Sequence, residues 1–279
     1  MKNHLALFLL CLLANVISAQ KVSVSSIEET RSTTDSYFGN RCKVKLKLTG
    51  DEVRKFKYVK INTLAKAVDD QGLELINEEE SDFDYQKIEE TTAEVELTLH
   101  PSSRKAEVIK ELKGDILLFN PTEATGSLIK VANFQSKPNT NLLPAKSPFQ
   151  MVFLTKEAYD AFVKANKDKT EAELKKMPEA SRALAEMILG LADAFSFMSD
   201  DPNQLTFLLS GDKSKFIDIK FEDETGKEVE RNGSSSSGDG LYSYYFSTKP
   251  SPKWKMMLMV ETEKAIKKIP FNLTNIDLP

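Results

Sequence analysis

The sequence is short of the residues that carry most protein chemistry. Its 279 residues include two cysteines, two histidines and one tryptophan. Cys11 and His4 fall in an N-terminal segment with the character of a removable leader, which leaves Cys42 and His100 as the thiol and imidazole of the mature chain. One thiol cannot form an intramolecular disulfide. One imidazole cannot supply a nitrogen-rich zinc or copper site. A Ser-His-Asp arrangement would have to use His100, and no G-x-S-x-G nucleophile elbow accompanies it. Net positive charge is also lacking. The formal net charge is −4, which provides no basic field for nucleic acid. Beyond residue 20 no stretch of about 18 or more apolar residues occurs, so no membrane span is expected.

The leader has the three parts of a secretory signal. Lys2 precedes an apolar run from Leu5 to Ile17, and Ser18-Ala19-Gln20 follows as a small-residue exit, so 1–19 reads as a signal peptide cleaved after Ala19. The run is too short to cross a bilayer. Leu10 stands before Cys11 where a lipoprotein signal needs a small residue, which disfavours lipid anchoring. The expected location is periplasmic or extracellular. The mature chain, with 41% hydrophobic residues overall, has material for one large or two small packed domains.

What is present in abundance is repetition. "LTGDEVRKFKYVKI" begins at Leu48 and "LSGDKSKFIDIKF" at Leu209, pairing Gly50-Asp51 with Gly211-Asp212 and Lys55-Phe56 with Lys215-Phe216. Further on, Asp69–Leu75 pairs with Asp223–Val229, and the segment from Pro101 with the segment from Pro250. Three landmarks in one order point to a tandem duplication. Each copy alternates as half-buried strands do: Cys42, Val44, Leu46 and Leu48 share one face while Lys43, Lys45 and Lys47 take the other. Val59, Ile61, Ile219 and Phe221 take inner positions after the Gly-Asp turn. Seven or so short strands per copy, separated by turn signals, are similar to Ig-like or fibronectin-like sandwiches. The expected fold is mainly β, with antiparallel domains at 20–135 and 148–279 and a Pro- and Asn-rich linker at 136–147.

Symmetry is broken by a predicted helical insertion at 155–199 in the second copy. "KEAYDAFVKANK" can form a first helix, Thr170 with Glu173 makes a capping box, Met177-Pro178 breaks the run, and 179–198 reads as a longer helix. Leu184, Met187, Ile188, Leu191, Phe195 and Met198 form its apolar stripe, and Ala185, Leu189, Ala192 and Phe197 leave few polar positions behind it. In "WKMMLMVE", Met257 and Met259 are apolar on the face opposite Trp254, Met256, Leu258 and Val260, so this strand should be covered on both sides. The helical insertion is the expected cover, and the 179–198 helix is otherwise a surface for a protein partner.

Candidate site residues fall in two groups. Tyr242, Tyr244 and Tyr245 in "LYSYYFS" could offer an aromatic platform to sugar rings or a protein. Asp69, Asp70, Asp223 and Glu224, at equivalent turns, could give oxygen ligands to calcium, although the alternating D-x-D-x-D pattern is missing. Glu78, Glu79, Glu80, Asp82 and Asp84 form an acidic loop. "NGSSSSGDG" (232–240) lacks the Gly-Lys-Ser/Thr ending of a phosphate loop and reads as a flexible hairpin loop. No cofactor is expected. The leading functional expectation is a non-enzymatic exported protein for binding, adhesion or envelope scaffolding, with an unidentified protein or glycan as partner. The alternative is a secreted carbohydrate-active hydrolase or lyase using unassigned carboxylates.

Overall fold

The computed structural model of the chain describes residues 21–32, 39–77, 83–89, 92–144, 146–166, 176, 182, 185, 188, 201–238 and 240–279. The expected leader, four members of the acidic loop (Glu78, Glu79, Glu80 and Asp82), the expected capping box and the Met177-Pro178 break lie outside these residues. The chain is mainly β. Its strands are β1 (Lys21–Thr30), β2 (Arg41–Thr49), β3 (Tyr58–Asp69), β4 (Gln86–Lys87), β5 (Ala93–Leu99), β6 (Val108–Phe119), β7 (Leu128–Val131), β8 (Phe149–Leu154), β9 (Gln204–Gly211), β10 (Phe216–Glu222), β11 (Gly233–Ser236), β12 (Leu241–Tyr245), β13 (Lys255–Val260) and β14 (Ile266–Asp277). Helix α1 covers Lys156–Asn166. All strand pairings among the described residues are antiparallel.

The chain divides into two compact units, and the first is discontinuous: residues 1–125 with 262–279, against 126–261. Unit 1 has one sheet in the order β1-β2-β5 and another in the order β14-β6-β3-β4. Both sheets feed a single core. Cys42, Val44, Leu46 and Leu48 from β2 meet Leu97 and Leu99 from β5, Val59 and Ile61 from β3, Ile109, Leu112 and Ile116 from β6, and Ile269 and Phe271 from β14. The alternation in β2 is complete: every second side chain is buried and the lysines between are half-buried. Two sheets closing on one apolar layer fits a β-sandwich.

Unit 2 has sheets ordered β11-β12-β9-β8 and β10-β13-β7 around an aromatic core. Phe134, Phe153, Phe207 and Phe221 sit with ring centroids 5.6–6.1 Å apart, and Trp254 stacks edge-on to Phe246 at 5.1 Å. Burial extends to the outer face of the β8-β9 sheet. Val152, Leu154, Thr206 and Leu208 are buried there; Tyr159 of α1 and the helical residues Ala185 and Ile188 are buried as well. Thr155 opens α1 by accepting the Ala158 N–H on its hydroxyl at 3.1 Å, the hydrogen bond of an N-cap. Met259 is buried and Met257 half-buried. Arg182, Ala185 and Ile188 are the described residues of 179–198.

Two expectations about boundaries change. Residues 127–134 do not close the first unit: β7 pairs with β13, Met256 opposite Val131 and Met259 opposite Leu128. Nor does the last segment close the second: β14 runs along β6 from Ile266↔Phe119 to Asp277↔Val108. Periodicity identifies a strand and its buried face but carries no information about its edge partner, and length decides here. β6 and β14 have 12 residues each, whereas β7 has 4 and β13 has 6. The linker at 136–147 is also part of unit 2. Phe134 and Leu143 are buried in its core, and the Asn141 side-chain oxygen accepts the N–H groups of Leu143 and Met151.

Candidate functional site

The paired acidic turns are built alike. At the end of β3, Asp69 Oδ1 accepts the N–H groups of Gln71 (2.9 Å) and Leu73 (2.8 Å). After β10, Asp223 Oδ1 accepts those of Thr225 (2.8 Å) and Lys227 (3.0 Å). Gly72 and Gly226 follow with φ of 86° and 83°, a left-handed backbone that glycine adopts without a Cβ penalty. In both turns the Asp N–H then meets the carbonyl four residues on, Leu73 or Lys227. Asp69 Oδ2 also accepts the Ser103 N–H at 2.8 Å.

These carboxylates are therefore engaged by N–H donors. Burial works against the ionised Asp69, but the donors outweigh it and hold its pKa below the usual carboxylate range. The Thr225 hydroxyl, then the backbone N–H groups, do the same for Asp223. Asp70 is exposed and accepts only a long bond from Glu107 N–H at 3.4 Å. Glu224 accepts the Ser251 hydroxyl at 3.0 Å. The two pairs belong to different units, and no cluster of three or more His, Cys, Asp or Glu arranged for a metal occurs among the described residues.

The tyrosines do not form one platform. Tyr244 is 2% exposed, edge-on to Phe207 and Phe221, with the Arg231 guanidinium 5.2 Å from its ring; burial pushes its phenol pKa up. Arg231 is itself held by two bonds to Asp218, at 2.8 and 3.0 Å. Tyr242 is half-buried against Phe216 at 4.8 Å. Tyr245, on the opposite face, shares a hydroxyl bond with Ser235 at 3.2 Å. That serine belongs to β11, so the first half of "NGSSSSGDG" is a strand paired along β12 and not a free loop. Its backbone groups find partners in the β12 ladder, which composition alone could not reveal.

Cys42 lies fully buried in the core of unit 1, and burial raises its thiol pKa to about 11. His100 is exposed at the end of β5, its N–H donating to Leu75 O at 2.8 Å. The serines that follow it have structural work: Ser102 donates its N–H and hydroxyl to Glu29, at 2.9 and 3.0 Å. Arg31 closes this knot by donating to both Glu29 and Ser102 O at 2.8 Å. Glu29 and Asp69 thus grip one segment from two different sheets. Nothing in local patterning marks Glu29 or Arg31 for this, because their partners lie about seventy residues away.

An open feature of unit 1 is a polar groove between β4 and β5. Three adjoining depressions of about 160, 330 and 360 Å³ share Gln86 in their lining. Glu94 and Glu96 project from β5, Lys45 from β2 and Lys60 from β3, with Asp84 near β4. Lys43 reaches Glu96 at 2.6 Å, and the Lys60 ammonium lies 4.4 Å from the centroid of the Tyr85 ring. Beside β5 no further strand is paired among the described residues, whereas β12 in unit 2 carries β11. The groove offers donors and acceptors of both charges over a floor of Ile61 and Val95, a lining suited to a polar ligand or an extended segment. Compared with family models, curated proteins and solved structures, the chain matches none.

Proposed function

We propose that the chain is an exported protein of two tandem Ig-like or fibronectin-like sandwich units that acts by binding, as an adhesin or envelope scaffold, through the groove of unit 1. The tandem reading is supported by the matched Asp turns and by strand order. β1-β2-β5 against β14-β6-β3 in unit 1 parallels β8-β9-β12 against β7-β13-β10 in unit 2, and with β11 the strand order of unit 2 is similar to the ABED and CFG order of Ig-like sandwiches, which supports that reading. Export rests on the Lys2, Leu5–Ile17 and Ala19 pattern.

The observation that carries the binding reading is the groove at Gln86, Glu94 and Glu96, which is open and charged while Tyr244, Cys42 and Asp69 are committed to the interior. A protein or a glycan fits this chemistry. The test is a glycan-array screen of the mature chain, with pull-down from its own cell envelope, repeated with Gln86→Ala and Glu94→Ala. A ligand whose retention falls at least tenfold in these variants supports the assignment; equal retention by both overturns it. The carboxylates of Asp84, Glu94 and Glu96 in one groove favour a polysaccharide hydrolase or lyase as the second reading. Product release from a bound glycan that stops in Glu94→Gln or Glu96→Gln would establish it.

A further inference from the structure

Each copy of the repeat ends in a strand that the other unit uses. β7 follows β6 in the chain yet lies beside β13, and β14 follows β13 yet lies beside β6. In both places the strand occupies the same edge position, next to the strand after the segment that begins at Pro101 or Pro250. The exchange matches lengths: β6 would leave most of its edge bare against the 4 residues of β7, and β14 covers it throughout. Since β7 already occupies the edge of β13, that position is closed to β14 in the sheet it follows. Its complement is a β6 edge, and the core of unit 1 is closed by the Ile269 and Phe271 side chains that β14 brings.

We infer that the β6 edge is a strand-accepting surface whose second partner is the β14 segment of another copy of this chain. Nothing in the pairing distinguishes a β14 on the same chain from one on a neighbour. Two chains that trade β14 reciprocally keep every register pair and every core contact of unit 1, and the exchange closes with two-fold symmetry as an isologous dimer. Residues 261–265 are the hinge. In the single chain they hold β14 close to its acceptor, through Asn120 N–H to Ala265 O (2.9 Å) and the Thr262 hydroxyl to Thr125 O (3.1 Å). Folding alone therefore favours the closed monomer at low concentration, and folding in company favours exchange.

The experiment uses full chains with Cys11→Ala. Lys113 and Asn272 are exposed and directly opposite on β6 and β14, a cross-strand spacing within disulfide range. One chain carries Lys113→Cys and the other, differently tagged, Asn272→Cys. They are unfolded together, refolded under reducing conditions at high concentration, then oxidised. A disulfide joining the two tags, formed after co-refolding and absent when the chains are mixed already folded, is the expected result. A control replaces Lys113→Cys by Lys47→Cys on the outer face of β2. Equal joining through Lys47 overturns the inference, because association is then non-specific. Unmodified chains refolded together should show a concentration-dependent dimer by light scattering, and a monomer at every concentration overturns it as well.

Discussion

Deleting residues 262–279 separates two readings of how the chain is partitioned. Contiguous domains would place the damage in the second half. With β14 in unit 1, the damage falls on the first. Ile269 and Phe271 are each 6% exposed, and burying a side chain of this size contributes about 1.5–3 kcal/mol, so the pair supplies about 3–6 kcal/mol. Leu273, Ile276 and Leu278 pack partly against the same core and add to it. The loss is comparable to the whole stability of an ordinary domain, about 5–15 kcal/mol. The molecule contains its own reporter for the other unit: Trp254 is the single tryptophan and lies 7% exposed in the core of unit 2. In the truncated chain, amide exchange should become fast across β2, β3, β5 and β6 while Trp254 keeps the blue emission of a buried indole. Red-shifted Trp254 with β2 and β6 still protected would refute the partition.

Four more outcomes follow from particular residues. Asp69→Ala leaves three backbone N–H groups without their acceptor in a buried turn and should cost about 3 kcal/mol, more than Asp223→Ala, which leaves two at a half-buried position; urea midpoints of the two variants measure the difference. Both carboxylates have folded-state pKa values below the ordinary range, so their stabilisation is present above the ordinary aspartate pKa of about 4 and is lost as pH falls through the depressed folded values. Melting temperature should thus drop with acidification below about pH 4, and less so in Asp69→Ala. Gly114→Ala would drive a methyl into the Thr63 carbonyl and to 2.9 Å from the Phe271 ring, so it should destabilise unit 1 by about 1–3 kcal/mol in the same urea assay. Met259→Asp places a charge at a site 2% exposed and should unfold unit 2, seen at Trp254, while Met257→Asp at a half-buried site should be milder.

The faces of the strands were legible in the sequence; their neighbours were not. Cys42, Val44, Leu46 and Leu48 alternate with lysines and all four are buried, because a period of two reports directly which side meets the core. Val59, Ile61, Ile219 and Phe221 follow the same logic. β8 and β9 were less readable, since burial on both faces erases the alternation, and Val152 and Leu208 resemble core residues though they lie outside the aromatic cluster. Edge partnership of β7 and β14 depends on pairing across most of a unit, which no local window contains. Among the candidate residues, the equivalence of Asp69 and Asp223 was visible from spacing, but their engagement by N–H donors was not. Tyr242 and Tyr244 show the converse: strand parity put them on one face with Phe246, and that face is the inner one. The groove needed β4 beside β5, a juxtaposition set by a two-residue strand with no pattern of its own.

The pairing of β14 with β6 also sets an order of events on the ribosome and after it. Everything unit 2 requires, from residue 126 to residue 261, is synthesised before the last strand of unit 1 exists. The half encoded second can therefore mature first, while the half encoded first waits with one flank unfinished until residues 262–279 arrive. A nascent chain stalled before residue 262 would show this as a protease-resistant second unit behind a protease-sensitive first one.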